Sequence, residues 1–247
     1  MEILTAASQK GGTGKTSTAA ALAQAAVLRG RRVLAVDLDP QANLSFALGA
    51  DISAPRPGSF ELLEGVQPDT LVQPMEQGMD LIQAGWDLST VAAAPGSARR
   101  LQNALEPLKE KYGLIVVDTP PTAGELQYNA LQAATMLIIP LQADIYNMHS
   151  LSQTFDAALQ FRRSNPALKL CGCVLTQYDG RSNLARQLRL AVEEQAASMG
   201  LPCLGAVRTG VAVKEAAALQ KSLFEYAPKS KPAADFLALY DALFSRP

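Results

Sequence analysis

Several short stretches of the chain are largely apolar rather than alternating: Glu2–Ala7, Arg32–Val36, Leu114–Val117, Met136–Pro140, Leu170–Leu175 and Leu204–Val207. Continuous apolar runs of this length mark strands buried on both faces, as in a parallel sheet. Between them lie stretches with helical spacing: Thr18–Arg29, rich in Ala, Leu and Gln, then Ser97–Lys111, His149–Arg163 and Asn183–Met199. Gly30 is a helix stop. The alternation predicts an α/β fold: a doubly wound, mostly parallel sheet flanked by helices, with ligand at the carboxyl ends of the strands. The region Ala50–Gly85 carries Pro55, Pro57, Pro68, Pro74 and several glycines. It reads as loops and short helices within one domain that spans residues 1–247. Near the end, Asp235–Phe244 has an apolar stripe at helical spacing and acids on its polar face, with Arg246 the only nearby base. That composition suits docking on a core, not on an anionic bilayer.

A length of 247 residues, 48% hydrophobic, is enough for one large core. The net charge of −1 excludes a bulk field that would hold nucleic acid or an anionic membrane, so such binding needs a local basic patch. Cys171, Cys173 and Cys203 form an odd, sparse set, which points to a reducing compartment. Cys171 and Cys173 have no matching second pair and lie in an apolar strand, so they read as buried thiols, not metal ligands. Glu2 and the glycine-rich stretch after it leave no signal peptide, and no apolar run approaches membrane-spanning length. A cytoplasmic protein is expected.

The chemistry concentrates between the first strand and the first helix, at Gln9–Ser17 (QKGGTGKTS). Gly11, Gly12 and Gly14 let backbone N–H groups converge on anionic oxygens, and the helix aims its N-terminal dipole at the same point. Lys15 is placed for β- and γ-phosphates, and the Thr16 hydroxyl for Mg2+. The usual phosphate-loop pattern has Gly where this chain has Gln9, and Lys10 adds a second cation inside the loop. A solvated loop charge is the competing reading of Lys10. Asp37 and Asp39 follow the second apolar run, and Asp118 follows the third. Acids at such strand ends can hold Mg2+ directly or through water; helix capping is the competing reading of Asp37. Arg186 and Arg189 share a helix face, with Arg181 just before them. In isolation these residues, like Arg208, Lys214, Lys221, Lys229 and Lys231, read most simply as solvated surface.

The stretch Lys10–Thr16 resembles the deviant Walker A loop of the ParA/MinD family of P-loop ATPases. Asp118-Thr-Pro-Pro is similar to that family's Walker B segment, and Asp39 in Asp-Leu-Asp-Pro-Gln to its switch I acid. Residues 124–134, 176–184 (TQYDGRSNL) and 208–216 (RTGVAVKEA) resemble ParA segments, so the likeness covers most of the chain and is weakest at 50–100. It implies a P-loop NTPase fold, ATP and Mg2+ as cofactors, and nucleotide contacts from Lys10, Gly11, Gly12, Thr13, Gly14, Lys15, Thr16, Ser17 and Arg208. Lys10, Lys15 and Asp39 would be catalytic; Thr16, Asp39 and Asp118 would hold the metal. Lys10 would reach across an ATP-sandwich homodimer to the partner's nucleotide. The resemblance also implies sequence-independent binding of double-stranded DNA through Arg181, Arg186, Arg208 and Lys214. A ParB-like partner would stimulate hydrolysis to ADP and phosphate. The role implied is nucleoid-associated segregation of a plasmid, chromosome or integrated element. The size is that of the short ParA/Soj type without an operator-binding domain. One departure is that residues 209–213 lack the second base that Soj-like members often carry there. Rival readings are a ParA-like ATPase positioning a protein assembly and a MinD-like membrane-associated ATPase, whose basic amphipathic tail is missing here. A nitrogenase-iron-protein-type carrier is opposed by the cysteines, and a bacterial tyrosine kinase by the unclustered Tyr226 and Tyr240.

Overall fold

The apolar runs become strands of one eight-stranded sheet. The structure is a computed structural model that describes residues 1–91 and 96–244. In chain order the strands are β1 (Glu2–Ala6), β2 (Val33–Asp37), β3 (Gln73–Pro74), β4 (Asp80–Ile82), β5 (Leu114–Asp118), β6 (Met136–Gln142), β7 (Lys169–Tyr178) and β8 (Cys203–Arg208). Their spatial order is β3-β4-β2-β5-β1-β6-β7-β8, parallel throughout except where β3 runs against β4. The helices are α1 (Lys15–Leu28), α2 (Asn43–Ala47), α3 (Ser59–Leu63), α4 (Arg100–Leu105), α5 (Glu125–Ala133), α6 (Ile145–Phe161), α7 (Asn183–Ser198), α8 (Val211–Ala218), α9 (Leu223–Tyr226) and α10 (Lys231–Phe244).

Successive strand residues point to opposite faces, and both faces are covered. On one, Leu4, Val116 and Ile138 pack against α1 and α10. On the other, Ile115 and Val117 meet Leu101 of α4 and Ala130 of α5, while Leu137 and Leu175 meet Leu151 of α6 and Val192 of α7. Every residue of β2 and β5 is buried, which is why their sequences show no polar alternation. Helix α1 is unusual for a flanking helix: residues 18–26 are buried all round, with alanine at most of them. Its outer side lies under Phe236, Leu239 and Tyr240 of α10, and Arg29 pairs with Asp241 at 2.7 Å. The amphipathic tail therefore docks on the core, as its stripe predicts; Arg246 lies outside the described residues.

Three expectations need correction. The region 50–85 does carry short helical turns, but it also adds β3 and β4 to the sheet. The stretch 97–111 is not one helix: α4 is flanked by single 3-10 turns at 97–99 and 106–108, and Pro107 cannot supply the N–H that a continued helix needs. Of the three cysteines only Cys173 is buried; Cys171 and Cys203 are half-buried. Cys173 and Cys203 are register partners on β7 and β8.

Candidate nucleotide site

The residues between Ala6 and Lys15 turn the chain at the carboxyl edge of the sheet's centre. Gly12 and Gly14 take the left-handed conformation, at φ 75° and 81°, which a Cβ would strain. At Gly14 a Cβ would also stand 3.2 Å from the Thr176 side chain. A cavity of about 630 Å³ opens against the loop, walled by residues 11–17 together with Asp39, Asn43, Lys214 and Leu223. Its size is that of a small-molecule site. Lys15 is only 6% exposed, and its Nζ donates to the Lys10 carbonyl at 3.0 Å. Burial draws its ammonium down from the ordinary value, while Asp118 and Asp39 pull it back up.

The acids arrive from adjacent strands. Asp118 ends β5 in register with Asp37 of β2 on one side and Ala6 of β1 on the other. Asp37 is fully buried and accepts from the Ser45 N–H at 2.8 Å, the Ser45 hydroxyl at 2.7 Å and the Asp39 N–H at 3.0 Å. Those bonds tie the loop after β2 to α2, so the capping reading describes Asp37. Asp39 accepts from the Gln41 N–H at 3.0 Å and lines the cavity. In that same loop Ala42 is left-handed at φ 53°, a strained position for a residue with a Cβ.

Asp118 is fully buried. Its Oδ1 accepts from the Thr119 N–H at 3.1 Å, and its Oδ2 has no hydrogen-bond partner among the described residues. Burial and the neighbouring Asp37 push Asp118 up to about 8, against the pull of the Thr16 hydroxyl and Lys15. Burial likewise pushes Asp37 up to about 6, against its bonds from Ser45. An orphaned carboxylate oxygen in this company fits a divalent cation. No three His, Cys, Asp or Glu side chains among the described residues form a cage. An ion here would draw its other ligands from the Thr16 hydroxyl, phosphate oxygens and water, as Mg2+ does.

The sign of the pH effect follows. Both carboxyls keep protons in the folded state that the unfolded chain releases near pH 4. The folded state binds the extra protons up to about pH 8, so stability falls as pH rises through that window. The nucleotide-free thermal midpoint should drop by several degrees between pH 5 and 8. Asp118→Asn should flatten the upper part of that drop. An unchanged slope in the variant would remove Asp118 as its source.

The basic residues are placed as follows. Lys10 Nζ donates to both oxygens of Asp144, just past β6, at 3.0 and 3.1 Å. Arg208 ends β8 and grips Asp235 of α10 through Nε at 2.8 Å and a terminal nitrogen at 2.6 Å; it is not part of the cavity wall. Lys214, on α8, is part of that wall. Arg181 pairs with Asp179 at 2.5 Å and is 88% exposed at its side chain. Arg186 bonds the Gly180 carbonyl at 2.9 Å and the Asn183 side chain. Arg189 pairs with Glu193 and lies over the Tyr178 ring. Tyr178 and Arg208 are register partners, so Arg181, Arg186 and Arg208 gather at the carboxyl ends of β7 and β8. Sequence reasoning missed Asp144 and Asp235, because nothing local marks an acid that pairs with a base more than a hundred residues away or on another element.

A family model described as an AAA domain matches residues 1–170. The chromosome-partitioning ATPase Soj of Thermus thermophilus is 36% identical over 244 residues, which cover 97% of this chain and 94% of that protein. The chromosome partitioning protein ParA of Caulobacter vibrioides is 36% identical over 256 residues, covering 100% and 95%. Among solved structures, cobyrinic acid a,c-diamide synthase from Mycobacterium smegmatis, with bound ATP analogue and magnesium, is similar with a TM-score of 0.84 and 32% identity, over 98% of this chain and 93% of that one. The two relatives and the solved structure match almost from end to end, in agreement with a glycine-rich loop that carries Lys10 as well as Lys15 beside two strand-end carboxylates. The chain belongs to the ParA/MinD family of P-loop ATPases, among its ParA/Soj-type members.

Proposed function

We propose that this ATPase is a nucleotide-driven switch whose whole length, 1–247, works as one domain. With ATP and Mg2+ it closes into a sandwich dimer that binds double-stranded DNA without sequence preference; hydrolysis, stimulated by a ParB-like partner, releases it. Its task is to segregate or position a plasmid, chromosome or integrated element on the nucleoid. The observation that carries this reading is the second lysine of the loop. Lys15 is buried beside the acids of its own site, whereas Lys10 is one-third exposed, paired with Asp144, and not part of the cavity wall. A cation held outside a cradle that already has one is placed to serve a second copy. Thr16, Asp39 and Asp118 hold the metal, whose charge offsets that of the phosphates. Asp39 orients the attacking water, and the loop N–H groups and Lys15 neutralise charge.

DNA binding is expected to use Arg181, Arg186 and Arg208, with phosphate contacts only. Three such residues from each of two subunits give about six contacts, and affinity should then fall roughly a thousandfold between 50 and 200 mM salt. Fluorescence anisotropy on unrelated duplexes, with ATP and then ADP, checks this. Strong preference for one sequence, or equal binding with ADP, would count against it.

A further inference from the structure

The carbonyls of the phosphate loop are hydrogen-bonded nearly one after another, those of Gly12 and Thr13 from other strands. Lys15 Nζ donates to the Lys10 carbonyl at 3.0 Å. Gln142 Nε2 and Gln177 Nε2 both donate to the Gly12 carbonyl, at 2.9 and 3.0 Å. The Thr176 hydroxyl donates to the Thr13 carbonyl at 2.7 Å, and the Thr18 N–H to the Gly14 carbonyl at 2.8 Å. In a planar trans peptide the C=O and the following N–H point in opposite directions. With the Gly12 oxygen turned to the two amides, the Thr13 N–H faces away from them; residues 11–17 and Gln177 all wall the cavity. The Thr176 bond does the same for the Gly14 N–H.

The two glutamines come from different strands. Gln142 ends β6 in register with Thr176 of β7, and Gln177 is the next residue. Gln177 is left-handed at φ 51°, where the β7–β8 ladder is irregular. A residue with a side chain takes that conformation only under constraint. Here it goes with an amide bonded across to Gly12. A carbonyl has two lone pairs, so both amides can bond it at once.

We propose that Gln142 and Gln177 are positioning residues for the nucleotide phosphates: from two strand ends they fix the Gly12–Thr13 peptide with its N–H turned into the cradle. The assignment rests on the reading of this cavity as the nucleotide site. Both act through the loop backbone, by their bonds to the Gly12 carbonyl, although Gln177 also stands in the cavity wall. The two donors share one acceptor, so either alone keeps most of the orientation and losing both frees the peptide.

The test is titration of the full-length chain with fluorescent ADP and ATP analogues and Mg2+, together with the nucleotide-free thermal midpoint. Gln142→Leu and Gln177→Leu should each weaken binding about threefold or less, and the double variant about thirtyfold for both nucleotides, more than the product of the singles. Gln177→Gly separates positioning from folding. It relieves the left-handed strain, so its thermal midpoint should stay level or rise while its nucleotide affinity falls as in Gln177→Leu. A double variant that binds within about twofold of wild type, or affinity losses that simply follow a falling midpoint, would overturn the assignment. A wild-type chain that binds neither analogue would overturn the reading of the site itself.

Discussion

Lys15→Ala is expected to abolish measurable ATP binding, weakening it by about a hundredfold or more, as removal of one partner from a buried charge pair does. The ammonium is the one buried cation facing Asp39 and Asp118 among the described residues. Its removal takes away the charge aimed at the phosphates and leaves Asp39 without its nearest buried cation. Lys10 is turned to Asp144, and the other lysines of the cavity wall, Lys214 and Lys221, come from α8 and the turn after it, not from the loop. Calorimetric titration with Mg-ATP reads the loss, with circular dichroism to show that the fold persists. Affinity within about tenfold of wild type would move the phosphates away from Lys15.

Lys10→Ala should leave a single chain's nucleotide affinity nearly intact and weaken ATP-induced dimerisation about a hundredfold. In the structure Lys10 is docked on Asp144 of its own chain, with both side chains about one-third exposed at 33% and 34%. A partly exposed pair of that kind contributes about 1 kcal/mol or less. It can be exchanged for a γ-phosphate, which offers a stronger charge-assisted bond and which ADP lacks. Light scattering on an Asp39→Ala background isolates assembly from hydrolysis. If Lys10→Ala there dimerises with ATP as tightly as its parent, Lys10 is a solvated loop charge.

What the sequence shows and what it hides divide along the range of the interactions. The loop was legible because its constraints are local: Gly12 and Gly14 need a left-handed backbone, and Lys15 and Thr16 open the helix. Asp118 was legible because the apolar run before it ends where a buried parallel strand must end. β4 was hidden because three residues, Asp80–Ile82, are too few to show a period. The break at Pro107 was written in the chain, but the helical spacing around it outweighed one residue. The Lys10–Asp144, Arg208–Asp235 and Gly12–Gln142–Gln177 contacts were hidden for a common reason. Each joins the ends of elements that become neighbours only through the strand order, and a polar residue carries no mark of the partner it will meet.

The all-round burial of α1 sets an order of events during folding. An isolated helix of 14 residues is marginal in water, and this one has no polar stripe along which a half-formed protein could settle. It needs the sheet on one side and α10 on the other, and Arg29 and Asp241, which join the two helices, are 212 residues apart in the chain. Contacts of such separation form late. The phosphate loop, anchored at the head of α1, shares that helix's dependence on α10. The nucleotide cradle thus leans, through one helix, on a segment more than two hundred residues away in the chain.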